Sequence, residues 1–184
     1  MRKYFWPIIL LVKLLASKSY FLRRGLLLFG FYSPGPRSDQ TANRFLDTFF
    51  SYYFSAKDFN LKKDLNLVCE IGPGGTDYAQ LAAATLGVKR FDQIDIIPLR
   101  RSFLDHETQF SFNNKEVFLR AKSARSKNFY NYFSDGVNSI KTLPEDFYDF
   151  IFSHSVLQHV HLDEVEPLIF ELNRIGTKNC IYTH

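Results

Sequence analysis

The sequence predicts an α/β fold, with a doubly wound and mostly parallel sheet preceded by a helical segment. From position 65 onward, short apolar runs that suit buried parallel strands alternate with stretches that suit helices. The first of these runs ends in a glycine-rich turn, which is typical of a strand that passes into a helix at the ligand-binding edge of such a sheet. The composition, 46% apolar and 23% charged, excludes a disordered chain and a typical integral membrane protein.

Residues 1–37 differ from the rest of the chain in charge. They carry seven basic residues and no acid, although the net charge of all 184 residues is only +4. Their apolar runs, 4–16 and 25–32, are shorter than the ~18–20 residues that span a bilayer. A helical cap on the domain, a helix in the lipid interface, and a signal peptide or anchor all stay open for this segment. We expect a cytoplasmic protein, with peripheral membrane contact through residues 1–37 as an alternative.

A hinge and a helix are predicted between this segment and the sheet. The sequence Ser-Pro-Gly-Pro at 33–36 breaks helix and strand alike. Aromatic residues then recur at intervals of three and four within 41–59, which predicts a helix. Core packing is the expected role of these rings, and lining of a ligand pocket is the alternative. The predicted organisation is a basic segment 1–37, a cap helix within 38–64 and the α/β domain 65–184.

Five strands are predicted in the α/β domain. Thr76 and Gly87 suit the start and the end of a helix after the first strand, with Asp77 favouring its positive end. A further helix is predicted over Asp163–Ile175, and Pro167 lies near its first turn. The predicted strands are Leu65–Ile71, Phe91–Ile96, Phe129–Phe133, Tyr148–Phe152 and a last one that begins with Cys180–Thr183.

The first strand and its turn carry the most informative motif, Leu-Val-Cys-Glu-Ile-Gly-Pro-Gly-Gly-Thr at 67–76. Glu70 ends the strand, and Gly72 and Gly74 let the backbone approach a ligand closely. A dinucleotide-binding fingerprint would need glycine at position 77, where this chain has Asp77, an acid that would oppose a pyrophosphate. A phosphate-binding P-loop is excluded as well, because no Gly-Lys-Ser/Thr follows.

This motif resembles the first motif of the class I, Rossmann-like S-adenosyl-L-methionine-dependent methyltransferases. Glu70, Gly72 and Gly74 match its Glu/Asp-x-Gly-x-Gly pattern, while Thr76 stands where the family often has a third glycine. The resemblance implies that Glu70 and the turn Gly72-Pro73-Gly74 hold the methionine portion of the cofactor.

Two further blocks extend the resemblance over about 65–160. Asp95, with Ile96 beside it, closes the second strand 25 residues after Glu70, where the family has an acid that binds the ribose; Asp92 is the weaker candidate. Residues 147–159 look like the family block Phe-Asp-x-Ile-x-Ser-x-x-Val-Leu-x-His, with Ser153 at the cofactor edge. The resemblance also implies an adenine contact after the third strand, for which Ser139 and Ile140 are the candidates, with loop residues that touch no ligand as the alternative.

His154 is the candidate catalytic residue on the acceptor side. Histidine suits a general base at neutral pH, and His154 directly follows the fourth strand at the edge where donor and acceptor would meet. His159 is a weaker candidate, and His106 has no special position. No metal site is expected, because the histidine spacings match no metal-binding motif and no cysteine pair lies near them.

The resemblance ends at strand five, although the family's sheet usually has seven strands. We therefore expect a fragment with an incomplete C-terminus; a second chain that covers the sheet edge and a degenerate protein are the alternatives. With the family's strand order, strand four lies between Cys69 and Cys180, so we expect no disulfide and two buried thiols.

The predicted function is methyl transfer from S-adenosyl-L-methionine to a small-molecule, lipid or glycan acceptor. The alternative is a non-catalytic or fragmentary methyltransferase-fold binding module attached to a membrane surface. Nucleic acid is not the expected partner, because the body of the chain is net acidic and the family's Asn/Asp-Pro-Pro-Tyr motif is absent. The oligomeric state is open.

Overall fold

The computed structural model describes residues 39–59, 64–99, 119, 123, 129–154, 156, 160 and 162–183. The predictions for residues 1–37, His106 and His159 lie outside this part of the chain. The described elements are α1 (Asp39–Phe59), β1 (Leu67–Ile71), α2 (Ala79–Thr85), β2 (Arg90–Ile94), β3 (Tyr130–Phe133), α3 (Val137–Lys141), β4 (Tyr148–Ser153), α4 (Leu162–Ile175) and β5 (Gly176–Thr183).

The five strands form one parallel sheet in the order β3-β2-β1-β4-β5. The chain builds outward from β1 to β3 on one side and then crosses back to place β4 on the other. Such a reversal opens a crevice at the carboxyl ends of the strands, where open α/β sheets bind their ligands. The fold class predicted from the sequence is confirmed.

One face of the sheet is covered by α1 and α2 through an aromatic core. Phe49 of α1 is fully buried, and its ring centroid lies 5.7 Å from that of Phe91 and 5.3 Å from that of Phe152. Aromatic pairs of this kind contribute about 0.5–1.5 kcal/mol each beyond the area they bury. The aromatic periodicity of α1 therefore serves packing, and it fixes this helix on the sheet.

The opposite face is covered by α3 and α4 through an aliphatic core. Ile140 of α3 and Leu168 of α4 are buried there against Cys69, Ile94 and other strand residues. Pro167 lies inside α4 without ending it, and the helix begins at Leu162, close to the predicted start. Helices on both faces make the sheet doubly wound.

The predicted helix cap at Thr76 is wrong. The helix α2 begins only at Ala79, and no side chain caps it. The Thr76 hydroxyl donates a hydrogen bond to the Pro73 carbonyl at 2.9 Å, so Thr76 closes the glycine turn instead. The predicted helix end is confirmed, because Gly87 follows the last turn with φ +76°.

The two cysteines lie on strands that β4 separates. Both are free thiols, and Cys69 is buried as expected whereas Cys180 is only half-buried. β5 starts at Gly176, earlier than predicted, and its register with β4 shifts between Tyr148 and Phe150. None of the helices in the described ranges has the length and hydropathy to cross a bilayer.

We expect Phe49→Ala to lower the free energy of unfolding by about 3–5 kcal/mol, because it removes the ring that joins α1 to the sheet. Urea denaturation of both proteins measures the difference. The matched control is Phe54→Ala on the same helix, because Phe54 is 51% exposed. A similar loss in the two variants would contradict the role given to Phe49.

Candidate active site

The glycine turn after β1 lies at the carboxyl edge of the sheet, and its backbone conformation favours glycine at positions 72 and 74. Gly72 and Gly74 both have φ +73°, in the left-handed region that favours glycine. A Cβ atom on Gly72 would overlap the Val156 side chain. Glycine is therefore required at position 72 by both its backbone conformation and its close packing against Val156.

The side chain of Glu70 lies in the protein interior beside this turn, and only 3% of the residue's surface is exposed. Its carboxylate accepts a hydrogen bond from the Gln93 amide nitrogen. The Tyr130 hydroxyl in turn donates to the Gln93 amide oxygen at 2.7 Å, and this orients the amide toward Glu70. Parallel register explains the contact, because Glu70 and Gln93 are paired across β1 and β2.

The electrostatics around Glu70 favour a cationic ligand. Burial raises the pKa of Glu70 to about 8; the Gln93 amide opposes the rise, and the nearby Asp95 and Asp77 carboxylates add to it. Within the described part of the chain, no lysine or arginine forms an ion pair with Glu70. A positive group bound there would relieve the repulsion and favour the ionised carboxylate.

Asp95 directly follows β2 and is bound entirely by backbone amides. One carboxylate oxygen accepts from Ile96 N at 2.7 Å and Ile97 N at 3.1 Å. The other accepts from Gly74 N at 2.7 Å and Gly75 N at 3.2 Å. Burial raises the pKa of Asp95 above its ordinary value, and these four donors limit the rise. Asp95 thus links the end of β2 to the glycine turn.

The four amides bound to Asp95 affect the fit of two ligands considered in the sequence analysis, the ribose of a nucleoside cofactor and a pyrophosphate. An ionised carboxylate has about four acceptor positions, and the four amides fill those of Asp95. A ribose hydroxyl could therefore reach Asp95 only by displacing an amide, so the ribose contact stays a prediction with that condition attached. The amides of Gly74 and Gly75 are already occupied by a carboxylate, so they do not offer the anion site that a pyrophosphate would need.

The turns after β2 and β3 meet beside Asp95. Gly136 N donates to the Asp95 carbonyl at 2.8 Å, and a Cβ atom on Gly136 would lie 2.6 Å from Ile96 Cγ2. The Tyr132 hydroxyl donates to the Ile97 carbonyl at 2.9 Å. Tyr132 is a site-lining residue that the sequence analysis missed, although its register with Gln93 places it on the Glu70 face. Ile96 lies in this group, and its contact with a cofactor stays a prediction.

Ser139 and Ile140 lie less favourably for the adenine contact predicted for them. The Ser139 hydroxyl accepts from Asp135 N at 3.0 Å and so braces its own turn. Ile140 is 1% exposed and packs in the aliphatic core. A contact between its side chain and an adenine would require this core to open, so Ile140 has a packing role in the described structure.

Ser153 and His154 complete the edge at the end of β4. Ser153 is buried and paired with Ile71, the residue before the glycine turn. His154 is half-buried, and its Nδ1 lies 3.2 Å from the Tyr52 hydroxyl of α1. The sequence analysis did not single out Tyr52, because the aromatic spacing of α1 predicted core packing for all of its rings, with pocket lining as the alternative.

Asp92, the weaker ribose candidate, lies mid-strand in a polar cluster away from the turn. It is fully buried and accepts hydrogen bonds from Tyr148 Oη at 2.6 Å, Asn131 Nδ2 at 2.7 Å and Arg90 Nε at 2.8 Å. Three donors around a buried carboxylate are a structural arrangement. For the part of the chain that the structure describes, no group of three or more His, Cys, Asp or Glu side chains is placed to hold a metal ion.

The sheet order and the carboxyl-edge turn define the class: the described part of the chain has a doubly wound, Rossmann-like α/β fold with a parallel sheet. No family model and no curated protein matches it. It is similar to the crystal structure of a candidate S-adenosyl-L-methionine-dependent methyltransferase from Methanococcus maripaludis, with 16% identity and a TM-score of 0.44. The match covers 82% of this chain and 64% of that one.

We expect Gly72→Ala to destabilise the fold more than Gly87→Ala does. Both glycines have positive φ, so both variants lose about 1–2 kcal/mol to backbone strain, but only the Gly72 variant also meets Val156. Denaturant unfolding of the two variants measures the difference. Combining Gly72→Ala with Val156→Ala tests the cause: if the double variant is not more stable than additivity predicts, the overlap is not the reason.

We expect the unliganded protein to lose stability as the pH rises from about 5 to about 8. The folded-state pKa of Glu70, about 8, lies above the ordinary value of 4.5, so the folded state holds a proton that the unfolded state releases in this window. The slope is at most about 1.4 kcal/mol per pH unit for one group. Unfolding at several pH values measures it, and Glu70→Gln is expected to remove the contribution of this group to the slope. Glu145→Gln, at an exposed carboxyl, is the control.

Proposed function

We propose that this chain binds S-adenosyl-L-methionine at the carboxyl edge of β1 and β2 and transfers its methyl group to a small-molecule, lipid or glycan acceptor. The observation that supports this most is Glu70, a buried carboxylate that has acidic neighbours and no cationic partner in the described ranges. The ammonium group of an amino-acid tail supplies the missing charge.

The residues at this edge fit that cofactor. Glu70 would accept hydrogen bonds from the ammonium group, beside a glycine turn whose positive φ angles at Gly72 and Gly74 hold the backbone at the sheet edge. Asp95 and Ile96 stand where the sugar would lie, subject to the exchange of an amide partner described above. When bound, the cofactor supplies a methyl group on a sulfonium that is already activated for displacement. The chain's own contribution is to align the acceptor and exclude water.

The position of His154 favours an enzyme over a module that only binds the cofactor. It follows the Ile71–Ser153 pair and so lies level with Gly72, at the edge where an acceptor would face the methyl group. An imidazole in that position can take up the proton that a hydroxyl or amine acceptor loses.

A non-catalytic module at a membrane surface is the second candidate, and the basic composition of residues 1–37 favours it. Sedimentation with vesicles that contain an anionic lipid distinguishes the two. Binding to vesicles that depends on residues 1–37, without any binding of S-adenosylhomocysteine, would support this candidate over the enzyme. Cytoplasmic location, with or without such membrane contact, is part of the proposal.

We expect isothermal titration to show one binding site for S-adenosylhomocysteine, and Glu70→Ala to weaken it about 10–100-fold. The reason is the loss of a charge-assisted hydrogen bond worth about 1.5–3 kcal/mol. Asp64→Asn, at an exposed carboxylate near the start of β1, is the control and is expected to bind as the original chain does. An absence of binding heat in the original chain would refute the cofactor assignment.

We also expect binding to release a proton near pH 7. The ammonium group favours the ionised form of Glu70, whose pKa of about 8 leaves it largely protonated in the free protein. Titrations in buffers of different ionisation enthalpy measure the number of protons released. Glu70→Gln should release none; release that persists in this variant would show that another group is responsible.

A further inference from the structure

Tyr52 and His154 form a hydrogen-bonded pair between residues 102 positions apart in the sequence, with 3.2 Å between the Tyr52 hydroxyl and His154 Nδ1. Tyr52 belongs to α1, which packs on the aromatic face of the sheet, and His154 follows β4. The Tyr52 ring meets the Phe152 ring nearly edge-on at 6.2 Å, two residues before His154. The same strand end therefore positions both members of the pair.

The pair lies beside the glycine turn. Ile71 and Ser153 are paired across β1 and β4, so the next residues, Gly72 and His154, leave the sheet side by side. Neighbouring strands are about 4.8 Å apart, which is within the reach of one small molecule bound against both. Both side chains of the pair are half-buried, so neither is sealed in the core.

The tautomer of His154 sets the hydrogen-bonding roles within the pair, and the proposal below uses the one in which Nδ1 accepts. Among the described residues, His154 is the only hydrogen-bond partner of the Tyr52 hydroxyl. A phenol donates one strong hydrogen bond, and Nδ1 of a neutral imidazole can accept it. In that tautomer the proton of His154 lies on Nε2, so Nε2 has no free lone pair for an acceptor's proton.

We propose that Tyr52 is the catalytic residue that takes the acceptor's proton, with His154 as the base behind it. This rests on the proposed methyltransferase function. As a lone pair on the acceptor's oxygen or nitrogen forms the new bond to the methyl carbon, the carbon–sulfur bond breaks and its electrons stay on sulfur. The acceptor's proton moves to Tyr52 Oη, and the phenol's own proton moves to His154 Nδ1. The imidazolium that results later loses its proton to solvent.

This relay assigns a class of acceptor. A neutral hydroxyl keeps its proton at neutral pH and loses it as the new bond forms, and a neutral amine becomes an ammonium that must then lose a proton, so both deliver a proton to the pair. An acceptor that is already an anion, such as an aromatic thiolate, has no proton to lose. The site is therefore suited to hydroxyl or amine acceptors.

The test compares two probe acceptors of similar size, 4-methylphenol and 4-nitrothiophenol, with methyl-labelled S-adenosyl-L-methionine as donor. We expect Tyr52→Phe to slow transfer to 4-methylphenol about 10²–10⁴-fold, the usual contribution of acid–base catalysis. Transfer to 4-nitrothiophenol should change less than about threefold on the same principle, and the affinity for S-adenosylhomocysteine should not change. Tyr53→Phe is the matched control, since Tyr53 is the next residue of α1 and makes no hydrogen bond to His154. It should leave both rates unchanged.

Nitrogen NMR of the His154 ring supplies a readout that needs no acceptor. We expect an accepting Nδ1 and a protonated Nε2 in the original chain, and a shift of the Nδ1 resonance in Tyr52→Phe but not in Tyr53→Phe. A protonated Nδ1, or an equal loss of rate for both probes, would overturn the proposal. If neither probe is methylated, the protonation of Nδ1 in the NMR spectrum alone supports or overturns the proposed relay. A failure to bind S-adenosylhomocysteine would instead refute the methyltransferase function itself.

Discussion

The site depends on one interaction, the binding of the Asp95 carboxylate by four backbone amides. Two of these amides belong to the glycine turn after β1, and two follow Asp95 itself. Together with the Thr76 hydroxyl, which donates to the Pro73 carbonyl, this carboxylate fixes the shape of the turn. The position of Glu70 relative to the turn, and hence the geometry offered to a ligand, follows from that link.

The same interaction sets the charge preference of the site. Glycine turns at the ends of parallel strands often bind phosphate through free amides. Here an internal carboxylate occupies those amides, and Asp77 and the ionised form of Glu70 add negative charge nearby. A cationic ligand stabilises such a site, whereas an anionic one meets repulsion. The electrostatics thus agree with the absence of the dinucleotide and P-loop motifs from the sequence.

The helix before the sheet contributes to the site as well as to the core. Phe49 anchors α1 on the aromatic face, and this packing brings Tyr52, one turn further along, to His154. A side chain needed for packing and a side chain needed for chemistry thus lie on one helix. Any change that loosens the first is expected to displace the second.

The sequence by itself determined the strands, the doubly wound arrangement, the need for glycine at positions 72 and 74, and the location of Glu70 at a strand end. These features depend on neighbours within a few residues, where periodicity and backbone sterics are sufficient. Only the tertiary structure decided which groups fill the acceptor positions of Asp95, that Ile140 faces the core, and that Tyr52 meets His154. Those contacts join residues far apart in the chain, so they depend on strand register and helix packing, which no local pattern encodes.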